Sequence, residues 1–171
     1  MGIARQESEF NTMTRSGAGA TGVLQVMPVT ARHVCRDYRI TCQLARLASD
    51  PAYNATIASA YIGDRMAEFA GSYVLTLAGY NAGPGRARQW IREFGDPRSP
   101  NVDPVDWIER IPFEETRDYV KKVLANVQVY RARLGDGSNA LQLTSDLYRA
   151  SNGAPAVPGG TVRPRAAENS R

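Results

Sequence analysis

One carboxylate near the start of the chain has neighbours that could make it an acid. Ile3-Ala4-Arg5-Gln6-Glu7-Ser8-Glu9-Phe10 reads as a short helix carrying Glu7, with apolar Ile3, Ala4 and Phe10 close by in sequence. A carboxyl held near apolar surface resists ionisation, stays protonated near neutrality and can donate a proton. A glycine-rich turn, Ser16-Gly17-Ala18-Gly19-Ala20-Thr21-Gly22, leads into Val23-Leu24-Gln25-Val26-Met27-Pro28. That segment delivers an amide, Gln25, and a thioether, Met27, from otherwise apolar surroundings. For an arbitrary glutamate the plainer reading, a solvated helix residue, usually wins. The whole string has to decide.

Other reactive residue types are few. Cys35 and Cys42 have six residues between them, too wide for a Cys-x-x-Cys redox motif, and no third cysteine is available for a zinc site. They read either as a small local disulfide or as two buried thiols. His33 is the only histidine. On a helix face a lone histidine is more often a surface or packing residue than a ligand.

The 171 residues suit one domain with a sizeable core, and the hydrophobic fraction of 43% fits a soluble globular protein. No apolar run approaches the ~20 residues needed to cross a bilayer. Lys+Arg 21 against Asp+Glu 17 gives a net charge of +4. Arg163, Arg165 and Arg171 against Glu168 place +2 of that beyond Ala150. Such a balance suits any anionic polymer. No basic stripe with interleaved aromatics appears, which argues against a nucleic-acid binder.

Helix signals dominate the elements that must position these groups. Pro28 and Thr30 open a helix to about Tyr38, and residues 39–49 read as a connection with one short turn. Asp50-Pro51, an N-cap followed by proline, predicts a helix to about Ala70 with a buried stripe of Tyr53, Ile57, Tyr61, Ile62, Met66 and Phe69. The apolar run Ser72 to Tyr80 is a buried strand or a buried helix by pattern alone. Pro84 to Phe94 reads as a helix ended by Gly95. Asp103-Pro104 repeats the capping device for a short helix through Arg110. A long helix ends near Leu134, with Val120, Val123, Leu124, Val127, Tyr130 and Leu134 as its core face. Leu141, Leu143, Leu147 and Tyr148 suggest one docking turn, and residues 151–171 a disordered tail.

Three stretches together resemble the lytic transglycosylases, lysozyme-like enzymes that cut bacterial peptidoglycan. They are Ala-Arg-Gln-Glu-Ser at Ala4–Ser8 with the Gly-rich turn and Gly22–Pro28; Ala-Gly-Tyr-Asn-Ala-Gly-Pro-Gly at Ala78–Gly85; and Ile-Pro-Phe-x-Glu-Thr-Arg-x-Tyr-Val at Ile111–Val120. The resemblance runs from about Ile3 to Leu134. Asn11-Thr12 departs from the family's usual Asn-Pro, and Val23-Leu24 from the commoner Leu-Met. It implies an all-α, lysozyme-like domain with two lobes flanking a substrate cleft. The implied division is a catalytic domain over 1–135, truncated at its N-terminus relative to the family, an extension over 136–150 and the tail over 151–171. It also implies that Glu7 is the catalytic acid. Ser16, Gln25, Met27, Tyr80 and Asn81 shape the cleft, and Glu115 holds its polar network while Arg117 is structural. A monomer is expected, with peptidoglycan glycan strands as partner, no metal or cofactor, and a periplasmic location. In that oxidising compartment the Cys35–Cys42 disulfide becomes the preferred reading, at ~2–3 kcal/mol by loop closure.

The chemistry expected of the family matches a shortage of carboxylates. Glycosidases usually need two. Glu9 cannot partner Glu7, because two residues along a helix is roughly 200° around it. A single-acid, substrate-assisted route fits that shortage, and the resemblance implies a non-hydrolytic cleavage of the bond between N-acetylmuramic acid and N-acetylglucosamine, leaving a 1,6-anhydro end. The alternatives are a lysozyme-type hydrolase on the same fold and an inactive wall-binding or assembly module.

Overall fold

The computed structural model describes residues 1–135 and 141–149. The tail expected over 151–171, and the first residues of the expected extension, lie outside the described residues. Among the described residues nine helices follow one another: α1 Gly2–Ser8, α2 Pro28–Asp37, α3 Arg46–Ser49, α4 Pro51–Glu68, α5 Tyr73–Asn81, α6 Pro84–Phe94, α7 Pro104–Glu109, α8 Glu114–Leu134 and α9 Leu143–Leu147. Among the described residues the only extended pairing is two isolated bridges, Arg15 with Thr21 and Thr21 with Val26. The all-α expectation holds.

The helix starts follow from their caps. The Asp50 carboxylate accepts the Tyr53 N–H at 3.0 Å ahead of Pro51. Asp103 accepts from Val105 and Asp106 ahead of Pro104. Each such cap satisfies an orphan donor of the first turn and contributes about 1 kcal/mol. Gly95 ends α6 at φ 88°, a conformation that costs a residue with a side chain.

Two apolar clusters form the core. The first surrounds α5, whose Val74, Leu75 and Ala78 are fully buried, and takes in Trp90, Trp107, Ile111, Val120 and Val123. A helix buried on all sides needs no amphipathic stripe, so residues 73–81 gave no periodic signal. The second joins Leu24, Val26, Ala31, Val34, Leu47, Tyr53 and Ile57. Ile3 of α1 packs against both, so the helix bearing Glu7 lies at their seam.

Three expectations need correction. Leu134 is 67% exposed and is not part of the core face of α8. Tyr130 meets the Phe10 ring edge-on at 6.1 Å instead of entering the interior. At the docking turn, α9 and its flanks expose Leu141, Leu143 and Tyr148, while Asp146 is buried. Its carboxylate accepts from Gln128 Nε2 at 2.7 Å and from Arg131 Nη1 at 2.7 Å. These two donors stand three residues apart on one face of α8, so a polar staple joins Leu147, which packs against the first cluster as expected, in docking the turn. Finally, Cys35 and Cys42 are free thiols, one buried and one exposed. The Cys35 sulfur contacts the Tyr53 hydroxyl at 3.6 Å, and hydrogen bonding to Cys35 pushes the Cys42 thiol up.

Candidate active site

Glu7 is positioned by the way α1 lies on α8. The two run antiparallel. A Cβ on Gly2 would meet Val127 and the Val123 carbonyl, so glycine permits the close approach there. One and a half turns further along α1, Glu7 reaches Tyr119, whose hydroxyl donates to Glu7 Oε1 at 2.8 Å. Burial pushes the Glu7 carboxyl up to about 7; the Tyr119 hydrogen bond opposes that, and the Glu115 charge adds to it. The carboxyl is therefore partly protonated at neutral pH, as a general acid requires. Other carboxylates go the opposite way. Asp50 and Asp103 are lowered by the backbone N–H groups they cap, and Asp96 by Arg98.

α1 stops immediately after the acid. Glu9 adopts φ 53° and Phe10 φ 68°, both left-handed. Glu9 is exposed and faces Arg5 at 3.7 Å, so it stands apart from Glu7. The Ser8 hydroxyl donates to the Val23 carbonyl at 2.8 Å, fastening the end of α1 to the loop before α2.

That loop is a compact set of turns. The Ala20 N–H donates to the Ser16 hydroxyl at 3.0 Å, closing the Gly-rich turn. Gln25, at φ 43°, donates through Nε2 to the carbonyls of Thr14 and Gly22. Its amide nitrogen is thus a strut of the loop. Met27 is half-buried at the N-cap of α2.

α5 supplies Tyr80 from the opposite side. Its hydroxyl donates to the Leu24 carbonyl at 2.7 Å, and its ring lies 5.6 Å from Tyr61 at 50°. Burial first and the Glu7 charge second raise Tyr80 above its ordinary range, and the same two causes, in that order, raise Tyr119. Both phenols stay protonated as donors. Asn81 closes α5, its Oδ1 accepting from Thr116 at 2.6 Å. Glu115 is exposed at the start of α8 and acts on Glu7 through charge. Arg117 donates to the Ile111 carbonyl, a structural contact, as expected.

Glu7, Tyr80 and Glu115 therefore share one electrostatic neighbourhood, with Asn81 tied beside it. Ser16 and Gln25 sit in the flanking loop through bonds to its own backbone. The sequence reading gave no role to Tyr119 or Asn54. Tyr119 stands four residues after Glu115 within the third motif, one helical turn along the same face. Asn54 falls in the register of Ile57, Ala58 and Tyr61, a polar residue inside an apolar stripe, which is an unusual place for an amide.

Glu7 is thus a buried carboxyl, partly protonated at neutral pH and set among tyrosines in an all-helical domain, which suits it to give and take a proton. The chain belongs to the Transglycosylase SLT domain family, whose model matches residues 1–101, and the soluble lytic transglycosylase helical domain matches 110–139. It is 38% identical over 145 residues to the soluble lytic murein transglycosylase of Escherichia coli K12, covering 84% of this chain and 22% of that protein. The Salmonella typhimurium enzyme of the same name is 39% identical over 154 residues, covering 87% and 22%. The 70 kDa soluble lytic transglycosylase structure from Escherichia coli superposes with TM-score 0.76 at 37% identity, over 87% of this chain and 24% of that one. An inactive glutamate-to-glutamine mutant of lytic transglycosylase Slt from Pseudomonas aeruginosa gives TM-score 0.70 at 40% identity, over 78% and 21%. The chain thus spans about a fifth of the length of the curated relatives it matches.

Proposed function

We propose that this chain is the catalytic part of a lytic transglycosylase that cuts the β-1,4 bond between N-acetylmuramic acid and N-acetylglucosamine in periplasmic peptidoglycan without water. The observation that carries this reading is Glu7, a carboxyl raised to about 7 by burial with a tyrosine hydroxyl as its hydrogen-bond partner. Glu7 gives its proton to the glycosidic oxygen as the C1–O bond breaks, and the N-acetylglucosamine end leaves as an alcohol. The carbonyl oxygen of the 2-acetamido group stabilises the positive C1. Glu7, now a carboxylate, takes the proton of the C6 hydroxyl while that oxygen bonds to C1, restoring the acid and closing the anhydro ring. Tyr119 would hold Glu7 by donating to whichever charge state is present, and Tyr80 would keep the opposite wall fixed. Ser16, Gln25, Met27, Asn81 and Glu115 shape the sugar-binding surface in this reading. Family membership supports the substrate class, and the inactive glutamate-to-glutamine mutant of a relative supports a glutamate as the acid.

The test uses purified murein sacculi. Glu7→Gln should still bind sacculi but release no soluble muropeptides, whereas the unmodified chain does both. Release by Glu7→Gln would remove Glu7 from its role. Binding without release by the unmodified chain would favour a wall-binding module.

A further inference from the structure

Asn54 lies in the first turn of α4 with its side chain fully buried, and all three of its side-chain hydrogen bonds go to backbone outside its own helix. Oδ1 accepts the Leu24 N–H at 2.9 Å. Nδ2 donates to the Thr21 carbonyl at 2.8 Å and to the Leu47 carbonyl at 3.0 Å. The loop is pressed closely onto this amide. Gly22 has φ +80°, and a Cβ there would collide with both the Asn54 side chain and the Leu47 carbonyl.

The same few loop residues anchor the reacting groups from the other side. The Val23 carbonyl accepts from Ser8, the residue after Glu7, and the Leu24 carbonyl accepts from Tyr80. Leu24 therefore has its N–H on Asn54 and its C=O on Tyr80. We infer that Asn54 is a positioning residue for the acid: it holds the Thr21–Leu24 segment where that segment fixes both the end of the Glu7 helix and the Tyr80 hydroxyl. This rests on Glu7 being the acid.

Removing the amide leaves the Leu24 N–H and the Leu47 carbonyl without partners in a buried setting and the Thr21 carbonyl with the Val26 N–H alone, so the segment must shift to find water or new bonds. Its two acceptors then move away from Ser8 and Tyr80, and water gains access beside Glu7. The groups that face Glu7 directly, Tyr119 and Glu115 on α8 and Tyr80 on α5, keep their own chemistry. Any change in the Glu7 titration would therefore report its placement.

The experiment compares the unmodified chain with Asn54→Ala by carboxyl carbon NMR titration of Glu7 and by turnover of a peptidoglycan oligosaccharide. A Tyr80→Phe arm in both backgrounds closes a double-mutant cycle. In folded Asn54→Ala the Glu7 midpoint should fall from about 7 toward the ordinary 4.5. kcat should drop about tenfold or more with KM within about threefold, as a displaced reacting group requires. Tyr80→Phe should cost at least about threefold less in the Asn54→Ala background than alone. Should Asn54→Ala not fold, Asn54→Asp, which keeps the acceptor for Leu24, and Ser8→Ala, which cuts the other strut, should lower the midpoint partway. An unchanged Glu7 midpoint in the folded variants, with an unchanged Tyr80→Phe effect, would overturn the proposal and leave Asn54 a stabiliser of the fold. An inactive unmodified chain would count against the proposed reaction instead, and the titration would still decide the role of Asn54.

Discussion

The two ends of α8 treat a buried carboxyl in opposite ways. Near its start Tyr119 offers Glu7 one hydroxyl at 2.8 Å, and among the described residues no cation lies in ion-pair reach of that carboxyl. Near its end Arg131 and Gln128 enclose Asp146 with a guanidinium and an amide. At Glu7, burial beside a neutral donor leaves desolvation dominant, whereas Asp146 is closed into an ion pair and an amide hydrogen bond. The first arrangement makes an acid poised near neutrality. The second makes a staple that holds a short C-terminal helix against the domain.

Breaking the staple should have the larger effect on stability. Arg131→Ala leaves Asp146 buried without its cation and should destabilise the fold by about 3 kcal/mol. A lowered thermal midpoint, with turnover per folded molecule unchanged, is the expected result. If turnover fell as strongly, the two ends of α8 would be coupled and the contrast between them would fail.

The opposite change at the other end should stabilise. The folded-state midpoint of Glu7 lies above its unfolded value, so its contribution to stability is full below about 4.5 and is lost as pH rises through about 7. Glu7→Gln cannot ionise. Denaturant melts should show it equal to the unmodified chain near about pH 4 and more stable by roughly 2–3 kcal/mol near about pH 8. Equal stability at both would mean Glu7 is better solvated than its surroundings indicate.

Tyr119→Phe sharpens the comparison by the smallest step. The Tyr119 hydrogen bond favours the carboxylate, so losing it should move the Glu7 midpoint further up, on the order of one unit. The falling limb of kcat/KM with pH should move the same way. A downward shift would mean that losing the hydroxyl admits water to the acid, which outweighs the lost hydrogen bond.

Much of this contrast could not be read before the fold was known. Helix boundaries were legible where chemistry is local: Asp50-Pro51, Asp103-Pro104 and Gly95 mark their own ends. Glu7 was legible because its neighbours form a recognisable string. Tyr119, its partner, lies 112 residues away, and no local pattern links the two. The Asp146 staple was hidden because leucines outnumber the acid in residues 141–148, and hydrophobicity was the natural guess. Gln25 was expected to line the cleft, yet its position also required a left-handed backbone and a nitrogen tied to Thr14 and Gly22, which no periodicity announces. Asn54 carried a visible signal, an amide in an apolar stripe, but its partners sit in an aperiodic loop.

In the proposed reaction one carboxyl acts alone, with the substrate's own hydroxyl as the nucleophile. An oxygen already tethered beside C1 acts at a high effective concentration, with which water has to compete. Digestion of sacculi in isotopically heavy water, read by mass spectrometry, tests this most directly. Each new muramoyl end should be a 1,6-anhydro group, lighter than the hydrolysed form by one water and free of label. Heavy oxygen at the muramoyl C1 would contradict the account and would require a second carboxylate or a positioned water opposite Glu7.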